Sequence, residues 1–176
     1  MLTICFHGAE STGKTTFAEG LAREFGCPWV PEYGRTFAET RGTDFTLADL
    51  LAIAEGQDAA RRAAAATGPD LLILDTDPLM TAAWARMLFG AVPDEVTTYP
   101  KADHYVLFAP DMPWVADGTR FFGTPGERKR FADFSEAMLD RAGVPYTRVT
   151  GDWDERRAST RALVQRLLAE TAELTR

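Results

Sequence analysis

A short loop near the start of the chain has the residue types of a phosphate-binding loop. The letters GAESTGKT, from Gly8 to Thr15, match the pattern GxxxxGK[ST] at every fixed position. In such a loop the backbone N–H groups converge on phosphate oxygens, the lysine adds a full positive charge, and the final hydroxyl ligates Mg²⁺. The pattern therefore predicts a site for ATP and Mg²⁺. The residues expected to hold the nucleotide are Gly8, Glu10, Ser11, Thr12, Gly13, Lys14, Thr15 and Thr16.

The flanks of this loop have the order that the motif requires. An apolar run, Leu2 to His7, precedes it and is typical of a buried strand. Phe17, Leu21 and Phe25 follow at the four-residue spacing of one helix face. Because strand, loop and helix occur in this order, the match predicts a functional phosphate loop rather than a glycine-rich turn.

A second signature of a nucleotide site, an apolar run that ends in a carboxylate, lies at residue 75. The apolar run Leu71 to Leu74 ends in Asp75, and the carboxyl ends of parallel strands form the ligand-binding edge of an open sheet. We expect Asp75 to hold Mg²⁺ together with Thr15. Asp77 is a rival, although Asp77 followed by Pro78 is also a typical helix start. A dual role for Asp77, as helix cap and substrate contact, therefore stays open.

Glu32 follows a short strand-like pair, Trp29 and Val30, that is flanked by prolines. Prolines restrict such a strand to an edge of the sheet or to a brief pairing. We expect Glu32 to orient or deprotonate an acceptor hydroxyl. A carboxylate of ordinary pKa suffices for this, because an alcohol becomes acidic only late in a loose phosphoryl-transfer transition state. The alternative is an exposed loop acid.

A long loop over residues 109–123 is rich in Pro, Gly, Asp and aromatic residues, a composition and length typical of functional loops. The letters TPGE from Thr124 then predict a helix start. We predict a lid over approximately 110–131, in which Arg120 and Arg128 neutralise phosphate charge while closure excludes water. The alternative is a basic, solvated helix face.

The remaining pattern alternates strand-like and helix-like segments along the whole chain. Such alternation predicts a parallel sheet covered on both faces, with right-handed crossovers. We therefore expect a single α/β domain over 1–176, a three-layer αβα sandwich of the P-loop NTPase class with a five-stranded parallel sheet. The predicted strands are Leu2–His7, Trp29–Val30, Leu71–Asp75, His104–Phe108 and Tyr146–Val149.

Composition limits the possible partners. A net charge of −7 disfavours broad nucleic-acid binding, which needs a basic face. No apolar run approaches the 18 residues that span a bilayer, and no secretory signal is recognisable, so we expect a cytoplasmic protein without a membrane partner. Two cysteines are not spaced like metal ligands. The sequence carries no signal for an oligomeric state.

Four segments together resemble the ribosylnicotinamide kinase domain of the bifunctional NadR proteins and its stand-alone relatives among P-loop nucleoside kinases. These segments are Gly8–Thr16, Glu32–Arg35, Leu74–Asp77 and Pro113–Arg120. The likeness covers nearly the whole chain, and its last segment is the most specific. It implies a nucleoside-kinase-like fold with a lid. It also implies transfer of the ATP γ-phosphate to the 5′-hydroxyl of nicotinamide riboside, which gives nicotinamide mononucleotide for NAD salvage.

The resemblance also implies roles for single residues. The catalytic set is Lys14, Glu32, Arg35, Asp75 and Arg120, with Arg128 added to the nucleotide contacts. The set expected to bind the nucleoside substrate is Glu32, Tyr33, Arg35, Gln57, Asp77, Trp114 and Asp117. One departure concerns the base: NadR-like sequences can carry a tryptophan just before Glu32, whereas this chain has Pro31. An aromatic stacking position, worth roughly 0.5–2 kcal/mol for a cationic base, is therefore absent or moved.

Two other functions stay open at this stage. The first is a P-loop kinase for another nucleoside, a nucleotide or a small metabolite, because the acceptor pocket is assembled from distant loops. The second is an ATP-binding regulatory NTPase. A GTPase-type switch is disfavoured, because the chain contains no asparagine and so lacks the Asn-Lys-x-Asp loop that reads guanine.

Overall fold

Five parallel strands form the centre of the part of the protein that the structure describes. The computed structural model describes residues 1–174 apart from 117 and 119. The strands are β1 (Leu2–Gly8), β2 (Trp29–Val30), β3 (Leu71–Asp75), β4 (His104–Phe108) and β5 (Tyr146–Val149). Their order across the sheet is β2-β3-β1-β4-β5, and every pair is parallel. The predicted five-stranded parallel sheet is confirmed, with β2 at an edge as its prolines indicate.

Among the described residues there are seven helices, which pack on the two faces of this sheet or on one another. They are α1 (Lys14–Phe25), α2 (Tyr33–Arg41), α3 (Leu47–Ala65), α4 (Pro78–Phe89), α5 (Asp94–Thr98), α6 (Pro125–Ala142) and α7 (Trp153–Leu174). Because side chains alternate along a strand, Ile4 and Phe6 face α1 and α7, whereas Cys5 faces the other side, where Leu79 and Leu139 pack. The result is the expected αβα sandwich.

Local signals placed several helix ends correctly. Thr46 and Thr124 each form a capping box at the start of α3 and α6. Asp77 caps α4, with Pro78 at the first helical position. Helix α1 ends at Gly26, whose φ of 64° lies in the left-handed region that glycine tolerates. The helix starts predicted at Asp77 and at Thr124 are therefore confirmed.

Two helices, α2 and α5, were not predicted. Helix α2 begins after Glu32, whose side chain makes no capping hydrogen bond, and it buries only Phe37 and Ala38. Helix α5 has only five residues and buries Val96 alone. Neither segment is long enough to show the periodic apolar pattern that reveals a helix in sequence. Tertiary packing therefore decided both.

Over residues 1–116, 118 and 120–174, no helix combines the length and the apolar character that a bilayer crossing needs.

A fully buried arginine joins the loops at the carboxyl edge of the sheet. Arg156 on α7 donates to the carbonyl oxygens of Gly151 at 2.7 Å, Thr12 at 3.2 Å and Ala109 at 3.0 Å. It also forms an ion pair with Asp111. One guanidinium therefore ties the phosphate loop to the segments that follow β4 and β5.

Replacing this arginine should destabilise the fold. In Arg156→Met the three carbonyl oxygens lose their donor and Asp111 loses its counter-charge, so we expect the free energy of unfolding to fall by about 3 kcal/mol in urea titration. The neighbouring, exposed Arg157 is the control. Arg157→Met should change the free energy of unfolding by less than about 0.5 kcal/mol. Equal stability of the two variants would contradict this account.

Candidate active site

Two adjoining cavities lie at the carboxyl edge of the sheet. The first, which we call the phosphate-loop cavity, has about 900 Å³ of empty space, part of it open to solvent, and is bordered by all eight residues that the loop motif predicts to hold the nucleotide. Arg35 and Arg120 also border it. The second, which we call the aromatic cavity, has about 590 Å³ and includes Phe45, Trp84 and Phe121 in its wall. The residues that border both cavities are Glu10, Glu32, Arg35, Met80 and Trp84.

The shape of the phosphate loop depends on two glycines. Gly8 has a φ of 126°, and a Cβ there would lie 2.5 Å from the carbonyl oxygen of Phe108. Gly13 has a φ of 89°, and its Cβ would lie 2.9 Å from the indole of Trp153. Both positions therefore exclude a side chain. Within this loop the buried Lys14 donates from Nζ to the Ala9 carbonyl oxygen at 2.8 Å.

Thr15 and Asp75 meet as the sequence predicts. The Thr15 hydroxyl donates to Asp75 Oδ2 at 2.5 Å. Asp75 Oδ1 is buried and has no hydrogen-bond partner among the described residues. Burial raises the pKa of Asp75, against the effect of the Lys14 charge. A buried carboxylate oxygen that still needs a partner, beside a hydroxyl, fits the oxygen ligands that Mg²⁺ prefers, so the residues present suit this ion.

Glu32 stands between the two cavities. Its pKa is raised from 4.5 to about 7, first by burial and then by the neighbouring Asp75 carboxylate, whereas Lys14 and Arg35 act in the opposite direction. Its side chain is partly buried and therefore is not the freely exposed loop acid that was the alternative. A carboxyl group with such a pKa can exchange a proton near neutral pH.

Three aromatic side chains line the aromatic cavity, and none of them was predicted as a site residue. The ring of Trp84 on α4 lies 5.2 Å from that of Phe121, and Phe121 lies 5.6 Å from Phe45, measured between centroids. They come from α4 and from two loops that are far apart along the chain. The sequence signal for this wall was Trp84 itself, in the helix that follows β3.

Gln57 and Tyr33 have structural contacts beside the site. The Gln57 amide donates to the carbonyl oxygens of Pro31 and Thr76, each at 3.3 Å, and accepts from the Tyr33 N–H at 2.7 Å. Gln57 thereby holds the chain on either side of Glu32 while it borders the aromatic cavity. The Tyr33 ring is 38% exposed and covers Gly56, so it borders neither cavity.

Asp77 is not brought to either cavity. Its carboxylate accepts from the Tyr105 hydroxyl at 2.5 Å and from the Leu79 N–H at 2.9 Å, and the residue is 2% exposed. Burial raises its pKa to about 6, against the effect of the Tyr105 hydrogen bond. The helix-cap role is confirmed, and the fully occupied carboxylate gives a physical reason to leave Asp77 out of the substrate contacts.

The lid residues divide between the cavities and the surrounding loops. Arg120 borders the phosphate-loop cavity, where it donates to Val115 O and to Ser11 Oγ. Arg128 instead donates to the Met112 carbonyl oxygen at 2.9 Å and does not border that cavity. The Trp114 ring packs over Gly123 and borders neither cavity. Asp117 lies outside the described residues.

Comparisons with known proteins agree with this geometry. A family model described as an AAA domain matches residues 3–156. The trifunctional NAD biosynthesis/regulator protein NadR of Escherichia coli (strain K12) is 30% identical over 180 residues, which cover 96% of this chain and 43% of that protein. The counterpart from Salmonella typhimurium (strain LT2) is 29% identical over the same shares. The chain thus spans less than half the length of these relatives.

Solved structures show the same fold. The crystal structure of NadR protein in complex with NR superposes with a TM-score of 0.74 at 19% identity, covering 93% of this chain and 49% of that one. Thymidylate kinase from Ehrlichia chaffeensis gives a TM-score of 0.64 at 15% identity, covering 95% of this chain and 98% of that one. The fold is that of P-loop kinases. The chain therefore belongs to the AAA domain family, and the relatives that match almost all of it support a domain of the NadR type.

Proposed function

We propose that the protein is an ATP-dependent kinase that phosphorylates the 5′-hydroxyl of nicotinamide riboside, giving nicotinamide mononucleotide for NAD salvage. The observation that carries this proposal is the position of Glu32, a carboxyl group with a pKa of about 7 between a phosphate-loop cavity and an aromatic cavity. A kinase needs a proton acceptor at that boundary. The NadR relative named for NAD biosynthesis, and the NadR structure in complex with NR, support this choice of acceptor.

The aromatic cavity supports an acceptor with a flat base. Trp84, Phe45 and Phe121 present ring surfaces, and Pro31 stands where the family can carry a tryptophan. Aromatic faces attract a cation such as a pyridinium ring, with roughly 0.5–2 kcal/mol gained. We infer that these three rings replace the missing one and contact the base. Because Pro31 departs from the family pattern beside the base site, another nucleoside is the alternative acceptor.

In the proposed mechanism, the loop N–H groups and Lys14 hold the β- and γ-phosphates of ATP, and Lys14 exchanges its bond to Ala9 for phosphate oxygens. Thr15 and Asp75 would hold Mg²⁺, which when bound neutralises phosphate charge. Glu32 accepts the proton of the 5′-hydroxyl as its oxygen attacks the γ-phosphorus and ADP leaves.

The two arginines act on the charge that develops during transfer. Arg35 and Arg120 both border the phosphate-loop cavity, from α2 and from the predicted lid. Their guanidinium groups can stabilise negative charge on the equatorial oxygens of the transferred group. The burial of Lys14 and Asp75 strengthens these interactions, because the local dielectric constant is lower than that of water.

The acceptor is tested by measuring ADP release from Mg-ATP against a panel of nicotinamide riboside, common nucleosides and nucleoside monophosphates. We expect nicotinamide riboside to stimulate ADP release most strongly and to yield its 5′-monophosphate by mass spectrometry. Lys14→Ala should abolish turnover with every acceptor, because the γ-phosphate loses its cation. If another nucleoside selectively stimulates ADP release, that nucleoside and not nicotinamide riboside is the acceptor. ADP release that no acceptor changes would favour the regulatory NTPase.

Glu32→Gln keeps the size of the side chain and removes its basicity. We expect phosphoryl transfer to fall by about 10²- to 10⁴-fold with the ATP dissociation constant unchanged. In the unmodified protein kcat/KM should rise with pH through about 7, as Glu32 loses its proton. Glu39→Gln, at an exposed position of helix α2, which begins directly after Glu32, is the control. Full activity of the Glu32 variant would remove this residue from the mechanism.

The same variant should change the pH dependence of stability. The pKa of Glu32 is higher in the folded chain (about 7) than its ordinary value of 4.5, so stability is lost as pH rises through about 7. Glu32→Gln should therefore be more stable than the unmodified protein at pH 8, by roughly 1–3 kcal/mol, and equally stable near pH 4. A variant less stable at pH 8, measured by urea unfolding, would show that the carboxylate is not destabilised by its surroundings.

A further inference from the structure

Glu10 occupies a variable position of the phosphate loop but makes specific contacts. The pattern GxxxxGK[ST] places no requirement on this residue. In the structure its carboxylate accepts from the N–H of Phe121 at 3.0 Å and from the N–H of Phe122 at 3.1 Å. The next residue, Ser11, accepts from the N–H of Val115 at 2.8 Å and donates to the carbonyl oxygen of Pro113 at 3.3 Å. Side chains of the phosphate loop thus hold a segment more than 100 residues away.

The residues held by Glu10 belong to both cavities. Arg120 borders the phosphate-loop cavity, whereas its neighbour Phe121 borders the aromatic cavity. Phe121 and Phe122 both pack on Trp84, with ring centroids 5.2 and 5.1 Å away. The Glu10 carboxylate therefore holds the backbone between a phosphate-side arginine and an acceptor-side ring close to the loop.

The electrostatic cost of the Glu10 contact indicates that the contact has a function. A carboxylate beside a triphosphate site costs energy, because like charges repel. Burial also raises the pKa of Glu10, and the N–H groups of Phe122 and Phe121, followed by the Lys14 charge, oppose that rise. A negatively charged acceptor forms stronger hydrogen bonds to two backbone N–H groups than a neutral one does. These hydrogen bonds connect the phosphate loop firmly to residues 121 and 122.

We propose that Glu10 is a positioning residue that couples the two cavities, so that Arg120 and Phe121 take their places when the phosphate loop is in its nucleotide-binding shape. This inference rests on the proposed function, because it assumes an acceptor in the aromatic cavity. Without Glu10, residues 121 and 122 lose their hydrogen bonds to the phosphate loop, and the segment keeps only the contacts of Ser11. Water then reaches the γ-phosphate more often, and the acceptor is held less well.

The test compares Glu10→Ala, which removes both hydrogen bonds, with Glu10→Gln, which keeps one accepting oxygen. In Glu10→Ala we expect the KM of the acceptor to rise by about tenfold or more and the ratio of ATP hydrolysis to phosphoryl transfer to rise by a similar factor. Glu10→Gln should lie between the alanine variant and the unmodified protein. Glu19→Ala, an exposed glutamate paired with Arg23 on α1, should match the unmodified protein.

A further readout does not depend on any acceptor. Trypsin cleavage after Arg120, followed by mass spectrometry in the nucleotide-free protein, should be about tenfold faster in Glu10→Ala, because the Arg120–Phe121 bond is no longer held. This result can be obtained even if no acceptor stimulates ADP release, so failure of the proposed function and failure of this inference are distinguishable.

Melting temperatures are measured for each variant. If Glu10→Ala does not fold, Glu10→Gln is compared with the unmodified protein by the same measurements. An unchanged acceptor KM, hydrolysis ratio and cleavage rate in the folded variant would overturn the proposal. Changes in cleavage alone, with the KM and hydrolysis ratio unchanged, would also overturn it, because Glu10 would then stabilise the segment without coupling the cavities.

Discussion

The buried ammonium group of Lys14 is the charge on which the carboxyl edge of the sheet depends. It acts on the pKa of three carboxyl groups, those of Asp75, Glu32 and Glu10, and opposes the effect of burial on each. After burial, the same charge is the second cause that lowers the pKa of His7 to about 3, so this imidazole is neutral. Arg35 acts in the same direction on Asp75 and Glu32, and a bound metal ion would add further positive charge beside Asp75.

This electrostatic arrangement requires close approach of segments that are distant in sequence. The Thr15 hydroxyl reaches Asp75 because β1 and β3 are neighbours, with Phe6 paired to Asp75. Arg156 adds a second tie, since from α7 it binds the Thr12 carbonyl oxygen of the phosphate loop together with those of Gly151 and Ala109. Positions of the charged groups are therefore set by packed elements rather than by the loop alone. Such support is what preorganised electrostatic stabilisation needs.

The aromatic cavity, where we place the acceptor, has a different lining from the phosphate-loop cavity. Its wall is mostly apolar, and its charged groups, Glu32, Arg35 and Glu10, all border the phosphate-loop cavity as well. An acceptor in this cavity would therefore direct its hydroxyl toward the charged boundary and its base toward the rings of Trp84 and Phe121. Gln57 contributes by fixing the backbone on both sides of Glu32. A single polar boundary thus orients the proposed substrate.

The sequence alone determined the fold class, the phosphate loop and the Thr15–Asp75 pair, because each depends on a local pattern: fixed motif positions, apolar runs and capping residues such as Thr46. Tertiary structure decided the rest. The aromatic wall joins three separate segments, the Asp77 carboxylate is occupied by Tyr105, and Glu10 holds residues 121 and 122. No local pattern encodes these contacts, since they arise only when the β2-β3-β1-β4-β5 order brings distant loops to one edge.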